Sequence, residues 1–420
     1  MPDTTSTSPT LIIRNARIAS AAGAPGTAVR GEPLGELEIT ERADVTITGD
    51  QITKITARKT GAVTRKPEAA PAGATEIDAA GRVLIPGFVD CHTHACWAGS
   101  RLDEWDQKRR GVPYLKILEK GGGIMATVRA VRDIPFADLV DQLVVRVNRM
   151  LALGSTTIEI KSGYGLNTET ELKMLRAVRE AQSRTAATLV PTALLGHAID
   201  DTQPGFIGKV IRETLPAVAA EFPGIAVDAF VEKGAWSVEQ AMLLFSRARD
   251  LHLPLRVHAD QFTSLGMIPA AIKMGFKSVD HLEATTREDL DELAKSQTFG
   301  VMLPACAFHL KSSYARGRHF VENGGALCIA TNYNPGSAPC PSMPFIIALA
   351  VRHLGLSPQE AITTATANPA ALLGLKDRGR VAVGQRADLL LLREDDERLL
   401  AFGFGDSPID KVICAGSVIA

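Results

Sequence analysis

Eight short apolar runs recur along the middle of the chain, and most are followed by a stretch with helical periodicity. They cover residues 83–94, 155–165, 187–197, 226–236, 254–262, 277–283, 299–305 and 326–336. Helices are predicted over 168–184 and 237–251, with Thr168 and Ser237 as their N-caps. Strands alternating with helices in this number favour a closed parallel barrel over an open doubly wound sheet, since no glycine-rich phosphate loop follows the first run.

The two ends of the chain resemble each other and differ from this centre. Short alternating strands, separated by glycine and aspartate turns, are predicted over 10–20, 43–59, 74–87, 379–395 and 411–420. We expect these segments to pair into one β-layer built from both termini.

Composition limits the partners. The 46 basic and 47 acidic residues leave a formal charge of -1 without a basic patch, so we expect neither nucleic acid nor a membrane surface as partner. No apolar run approaches the ~20 residues that a membrane span needs. The segment 1–10 fits neither a signal nor a transit peptide, and we interpret it as a frayed tail. The six cysteines are scattered without a CxxC pair, which is typical of reduced thiols in a cytoplasmic protein. A small molecule is the expected partner.

Histidines close several of the runs. His92 and His94 stand two apart at the end of the first run, so both imidazoles can face one side of a strand. His258 closes the fifth run and His281 the sixth, and the carboxyl ends of barrel strands meet at one mouth. Three imidazoles with an open position suit Zn²⁺ or Fe²⁺ in a hydrolytic site. His92, His94 and His258 are the predicted ligands. His281 is either a fourth ligand or a neighbouring group.

Other runs also end in polar residues, for which the sequence leaves two interpretations each. Arg101 offers a fork suited to a carboxylate, or is a surface loop arginine. Tyr164 and His197 close the second and third runs and serve either the site or the core. The backbone N–H groups of Gly336 and Ser337 either hold an anion or belong to a plain turn.

Several motifs together resemble the imidazolonepropionase family of the amidohydrolase superfamily, from about residue 80 to the C-terminus. They are "IPGFVDCHTH", "GSRLDEW", "GGGIMATVRAVR", "EIKSGYGLNTETELKMLR", "LLGHA", "HADQ", "DHLE" and "ATNYNPGSAPCPSMPF". The HxH pair is general to the superfamily, whereas "KSGYG", "GGGI" and "NPGS" are more specific to the family. The resemblance implies an α/β fold: a distorted (β/α)8 TIM barrel with a small β-sandwich layer formed by both termini. The expected domains are sandwich over 1–85, barrel over 86–375 and sandwich again over 376–420.

The resemblance also implies an activity and a set of site residues. The reaction is hydrolysis of 4-imidazolone-5-propanoate, a cyclic amide with a carboxylate tail, to N-formimidoyl-L-glutamate in histidine degradation. One Zn²⁺ or Fe²⁺ and a homodimer are expected with it. His92, His94 and His258 match the metal ligands, and His281 matches the catalytic histidine. The positions that match substrate-holding residues are Arg101, Tyr164, His197, Gln261, Asn334, Gly336 and Ser337.

Asn332 is the departure from the family pattern. The family has an aspartate at the end of the eighth strand, where it binds the metal and moves a proton. An amide still offers its carbonyl oxygen to a metal, but it cannot accept a proton at pH 7. Gln261 stands where some members have glutamate, which weakens it as a base; with His281 and Asn332 it completes the expected catalytic set. Three hypotheses follow: a working enzyme in which His281 carries the proton, an amidohydrolase for another cyclic amide or amidine, and a binding protein that has lost turnover.

Overall fold

The computed structural model of the protein describes residues 10–58, 69–112, 116 and 121–420, so most of the predicted frayed tail lies outside the described residues. Its strands form two separate eight-stranded sheets. In chain order the strands are β1 Thr10–Ala21, β2 Leu37–Thr48, β3 Gln51–Ala57, β4 Thr75–Asp78, β5 Val83–Pro86, β6 Phe88–Asp90, β7 Ser155–Lys161, β8 Thr188–Gly196, β9 Ala226–Val231, β10 Arg256–Ala259, β11 Ser278–His281, β12 Phe299–Met302, β13 Leu327–Ile329, β14 Leu389–Leu392, β15 Ile409–Cys414 and β16 Ser417–Val418.

The first sheet combines both ends of the chain, as predicted. Its order is β16-β15-β14-β5-β1-β2-β3, with β4 beside β1, and most of its pairs are antiparallel. The two termini meet where β14 pairs with β5, with Leu390 opposite Ile85. Alternating apolar residues such as Ile13, Val45 and Leu389 are fully buried in a core that belongs to this sheet alone. The alternation of apolar and polar residues in the terminal segments therefore corresponds to one buried face of this sheet.

The second sheet is parallel throughout and runs in chain order from β6 to β13, which confirms the predicted (β/α)8 barrel. Two backbone hydrogen bonds close it just beyond the strand ends: Asn332 N donates to His92 O and His94 N donates to Tyr333 O, both at 3.0 Å. Closure therefore brings the end of the first barrel strand against the stretch that carries the two asparagines.

The first predicted run divides between the two sheets at Gly87. Residues before it form β5 in the outer sheet, and residues after it form β6 in the barrel. A Cβ at Gly87 would lie 2.3 Å from Thr156 Oγ1, so a side chain is excluded at the crossing point. A continuous apolar run does not reveal this division, because both halves are buried.

Helices connect the barrel strands and cover its outside. The α-helices, in chain order, are α1 Leu102–Arg109, α2 Ile124–Asp133, α3 Phe136–Ala152, α4 Thr168–Gln182, α5 Phe206–Lys209, α6 Leu215–Glu221, α7 Val238–Asp250, α8 Met267–Met274, α9 Arg287–Lys295, α10 Pro304–Leu310, α11 Gly317–Glu322, α12 Met343–Leu349, α13 Pro358–Ala365, α14 Ala367–Leu372 and α15 Leu399–Phe402. A 3-10 turn spans Glu32–Gly35, and π-helical turns span Val210–Thr214 and Ala350–Leu354.

One of the two predicted helix caps is confirmed. Ser237 caps α7 in a capping box with Gln240. The prediction for α4 is wrong: Asn167 is the N-cap, and its side chain accepts from Thr170 N at 2.8 Å. Thr168 is already helical, and its hydroxyl pairs with that of Thr214 at 2.8 Å. Asparagine precedes threonine here and caps at least as well, so it takes the position.

The segment between β1 and β2 docks on the barrel end opposite the mouth. Asn368 Nδ2 donates to the carbonyls of Val29 (2.9 Å) and Leu327 (2.8 Å), while its Oδ1 accepts from Val29 N at 2.8 Å. Arg30 adds a 2.6 Å bond to the carbonyl of Ser296. Within the described ranges we find no helix whose length and hydrophobicity would let it span a bilayer.

Candidate active site at the barrel mouth

The three predicted metal ligands converge at the carboxyl ends of the barrel strands. His92, His94 and His258 offer ring nitrogens that all lie within 4.8 Å of one another. The Nε2 atoms of His94 and His258 are 3.4 Å apart, and His92 Nε2 is buried without a hydrogen-bond partner among the described residues. The intervening Thr93 points the other way and bonds Glu159 O at 2.6 Å, as strand alternation requires.

Two aspartates fix the orientation of these imidazoles. His92 Nδ1 donates to Asp280 at 2.6 Å, and His258 Nδ1 donates to Asp228 at 3.1 Å. A proton on each Nδ1 leaves the Nε2 lone pair facing the centre of the cluster. Burial, with added repulsion from neighbouring positive groups, holds the pKa of His92 and of His94 well below the ordinary value. The rings are therefore neutral at pH 7, which is the form that binds a metal.

A buried ionic network lies beneath the histidines. Lys161 Nζ is 2.9 Å from both Glu159 and Asp228, and Arg256 is 2.7 Å from Asp280 and 3.5 Å from Glu159. Burial lowers the pKa of Lys161, but the three surrounding carboxylates raise it above its ordinary value, so the lysine stays charged. Three carboxylates against two cations leave one negative charge under the ligands.

This network is not predicted from the sequence. Its members lie inside four of the predicted strand-like runs, and all are buried: Glu159, Lys161, Asp228, Arg256 and Asp280. A charged residue inside a fully buried strand is rare unless it is paired, and that signal could have identified them.

The cluster fits one divalent cation. Three neutral imidazoles lie above one net negative charge, with His92 Nε2 unpaired among the described residues and His94 Nε2 3.4 Å from His258 Nε2, and this donor set suits Zn²⁺ or Fe²⁺. Asn332 joins the cluster through its backbone bond to His92 O. Its side-chain amide is engaged elsewhere, because Oδ1 accepts from Asn334 Nδ2 at 3.2 Å. Its φ of 53° is a left-handed conformation that asparagine tolerates well.

Tyr164 and His197 lie beside the cluster. The ring of His197 stacks on that of His94 with centroids 5.0 Å apart, and Tyr164 is 5.0 Å from His197. His197 Nδ1 donates to Gly163 O at 3.0 Å. Burial lowers the pKa of His197 to about 3 and raises that of Tyr164, so both side chains are neutral. They form an uncharged wall with hydrogen-bonding edges.

Arg101 reaches the same region but is already partly occupied. Its Nε and NH2 atoms donate to the two carboxylate oxygens of Glu104, both at 2.6 Å. Glu104 also accepts from Lys108 (2.7 Å) and from Gly123 N (2.9 Å). Arg101 NH1 points toward Gly336, where an added Cβ would lie 3.2 Å away. One edge of the guanidinium is thus held by the protein, and the remaining edge faces the loop after β13.

The loop after β13 is organised by Asn334. Its Oδ1 accepts from Gly336 N at 2.8 Å and from Ser337 N at 2.7 Å, and its Nδ2 donates to Asn332 O at 2.6 Å. The two N–H groups that could have held an anion are therefore used within the turn itself. These contacts favour the plain-turn interpretation of Gly336 and Ser337.

His281 stands across the cavity from the ligands, 6.0 Å from His92 and 5.6 Å from His258 between ring centroids. Its Nδ1 donates to Glu283 at 3.2 Å. Its φ of 92° is unusual for a residue other than glycine, and such strain concentrates at functional sites. Gln261 donates from Nε2 to Cys306 Sγ at 3.2 Å. Neither Glu283 nor Cys306 was expected at the site, because only the fold brings them there.

Comparison with known proteins gives matches over nearly the whole chain. The sequence model of the amidohydrolase family matches residues 83–419. A protein named imidazolonepropionase from Herpetosiphon aurantiacus is 42% identical over 408 residues, which cover 94% of each chain. Another of the same name, from Deinococcus radiodurans, is 40% identical and covers 92% of this chain and 94% of its own.

Solved structures share the fold at low sequence identity. A 5-methylcytosine deaminase from Klebsiella pneumoniae superposes with a TM-score of 0.73 at 18% identity, covering 97% of both chains. The guanine deaminase of E. coli gives a TM-score of 0.72 at 14% identity, covering 98% of this chain and 99% of its own. At these identities the likeness concerns the architecture alone.

Proposed function

Since the chain belongs to the amidohydrolase family, and within it to the imidazolonepropionases, we propose that it hydrolyses 4-imidazolone-5-propanoate to N-formimidoyl-L-glutamate. The observation that carries the proposal is the convergence of three neutral imidazoles at the barrel mouth, with Arg101 directed at Gly336 in the loop after β13. A cation centre and a guanidinium suit a substrate that combines a cyclic amide with a carboxylate tail.

The cation centre and the neutral wall define where the ring would lie. His92, His94 and His258 would hold Zn²⁺ or Fe²⁺, which supplies Lewis acidity and lowers the pKa of water when bound. Tyr164 and His197 would contact the ring from the side of His94. The free edge of Arg101 would pair with the propionate, and this contact fixes the ring over the three histidines.

His281 is the proposed proton carrier. Glu283 accepts from its Nδ1, which leaves Nε2 unprotonated and free to take a proton from the attacking water. The same Nε2 would then deliver the proton to the ring nitrogen as the C–N bond opens. Asn332 and Gln261 lie nearby, but an amide can only orient groups by hydrogen bonding and cannot take up the proton.

A substrate-binding homologue with impaired turnover is the second candidate. Asn332 and Gln261 both direct their amides at Cys306, so neither offers a base to the cavity. General acid–base groups typically contribute ~10²- to 10⁴-fold, so such a protein would bind its substrate and turn it over slowly.

The deciding experiment compares the natural chain with Asn332→Asp by following the loss of imidazolone absorbance. If His281 carries the proton alone, the two proteins react at similar rates. A gain of ~10²-fold or more in Asn332→Asp would support the impaired homologue. Bound metal is measured in parallel, with His92→Ala as the control. A natural chain that holds no metal at neutral pH would refute metal-dependent hydrolysis and leave a binding role alone.

The finer expectations about metal, assembly and location extend the same proposal. We infer Zn²⁺ or Fe²⁺ from the imidazole ligands, a homodimer from the family resemblance, and a cytoplasmic location from the isolated reduced cysteines. Domain boundaries near residues 85 and 375 agree with the crossing at Gly87 and with β14 returning to the outer sheet. Sedimentation analysis tests the assembly.

A further inference from the structure

A buried thiol faces the cavity next to the three-histidine cluster. Cys306 is the third residue of α10, the helix that follows β12, and is only 1% exposed. Gln261 Nε2 donates a hydrogen bond to its sulfur at 3.2 Å. Burial raises the pKa of this thiol to about 12, while the neighbouring polar side chains of Ser337, Gln261 and Asn332 act in the opposite direction. A hydrogen bond donated to the sulfur would stabilise a thiolate.

The amide side chains of Gln261 and Asn332 suit a neighbouring thiolate better than carboxylates would. Carboxylates at positions 261 and 332 would repel a thiolate at Cys306, whereas amide N–H groups stabilise it. Asn332 Oδ1 is occupied by Asn334 Nδ2, which leaves its own Nδ2 for the sulfur. Gln261 and Asn332 cannot act as bases, but their amides are compatible with an anionic sulfur at Cys306.

Glu283 and His281 complete a second ligand set around the thiol. Donor atoms of His281, Glu283 and Cys306 all lie within 4.8 Å of one another. The side chain of Glu283 is 5% exposed, and both of its carboxylate oxygens lie 3.2 Å from His281 Nδ1, which has a single N–H to share between them. A buried carboxylate served by one shared N–H is incompletely satisfied, and a cation placed between it and the sulfur would complete its coordination.

We propose that Cys306, Glu283 and His281 form a second cation site, adjacent to the three-histidine cluster, which takes a thiophilic divalent ion such as Zn²⁺ or Cd²⁺. Binding transfers the thiol proton to solvent and forms a bond from the sulfur to the cation. Sulfur, imidazole and carboxylate together match the preferences of these ions rather than those of Mg²⁺ or Ca²⁺. The binding site stands independently of the proposed reaction. Inhibition by the bound ion, in contrast, rests on the proposed function, because an ion bound to His281 would block the proton carrier.

The test is a Cd²⁺ titration of the full-length protein, read by bound metal and by the ultraviolet thiolate-to-Cd²⁺ charge-transfer band. The natural chain is expected to bind two equivalents, one of which produces the band. Cys306→Ser should lose the band, and Glu283→Gln should keep it while binding that equivalent at least ~10-fold more weakly. Cys340→Ser, which changes a more exposed cysteine outside the ligand set, is the matched control and should behave like the natural chain.

A first-site variant separates this proposal from the proposed function. His94→Ala should lose one equivalent and retain the band, because the thiol site does not use that ring. Binding of a single equivalent without a band, or a band that persists in Cys306→Ser, would overturn the second site whatever the catalytic assay gives. Cys306→Ala provides the same comparison if the serine variant does not fold.

Discussion

Arg101 shows how a binding residue is prepared before its ligand arrives. Glu104 takes one edge of the guanidinium with two 2.6 Å bonds and links it to the backbone of Gly123. Burial raises the pKa of Glu104, but Arg101, Lys108 and the Gly123 amide bring it down to about 2, so the carboxylate is charged at neutral pH. The free edge of Arg101 is thereby held in one direction, at little entropic cost on binding.

Glu104→Gln is expected to raise KM for the carboxylate-bearing substrate about 10-fold with little change in kcat, because losing one charge-assisted hydrogen bond costs about 1.5–3 kcal/mol. Asp103→Asn, an exposed change in the same helical turn, is the control and should leave KM unchanged. The positioning role fails if the two variants give the same KM.

The residues that sequence reasoning recognised share one property. His92, His94, His258 and His281 stand at strand ends, where a period of two and the rule for barrel mouths are enough to bring them together. Glu104, Glu283 and Cys306 stand in loops and helix starts, and only the finished backbone decides where they point. The meaning of Asn332 also changed: its amide faces a thiol that no local pattern connects to it.

At the scale of elements, the loop that leaves β8 is held by a single carboxylate. Asp200 accepts from Thr202 Oγ1 at 2.5 Å, from Gln203 at 2.6 Å and from Arg132 at 2.9 Å, and its side chain is 2% exposed. Burial raises the pKa of Asp200, yet these donors bring it to about 2, below the ordinary value of 3.8. The loop carries His197 at its start, so its order matters to the cavity wall.

Because the folded pKa is depressed, Asp200 stabilises the protein above pH ~4 and loses that contribution as the pH falls toward 2. Asp200→Asn should lower the free energy of unfolding by about 2 kcal/mol near pH 6 and by about half as much near pH 3. Urea denaturation at both pH values measures the difference, with exposed Asp201→Asn as the control. A deficit that stays constant with pH would contradict the assignment.

Secondary-structure elements could be predicted from the sequence where a run of apolar residues determines their position. All eight barrel strands fall within the predicted runs, because each is buried on both faces. The crossing at Gly87 and the cap at Asn167 were missed, since both depend on a neighbour distant in sequence or on a choice between two good capping residues.

At the scale of the whole molecule, the barrel interior contains a buried ionic network near the mouth. Lys161 lies on β7, and its partners reach it from β7 and β9, while Arg256 on β10 joins β7 to β11. Four strands therefore share one set of charges directly under the metal ligands. Two of its carboxylates, Asp280 and Asp228, orient His92 and His258.

Lys161→Met leaves Glu159 and Asp228 buried without their cation, and we expect a loss of about 3–5 kcal/mol in the free energy of unfolding. Weaker metal binding should accompany it, because His258 loses its support through Asp228. Urea denaturation of the metal-free protein measures the first effect, and competition with a chelator measures the second. Exposed Lys277→Met is the control, and equal stability of the two variants would exclude the network as a structural requirement.

The crossing at Gly87 has a consequence for synthesis on the ribosome. Strand β5 is completed by β14, which begins at Leu389, yet it is joined to the first barrel strand by a single residue. The start of the barrel therefore stays tethered to an unfinished sheet until almost the entire chain has emerged. Such late, long-range pairing slows folding and leaves strand edges exposed to association with other nascent chains. A chain truncated before β14 is one that we expect to be recognised by chaperones rather than to fold into a smaller barrel.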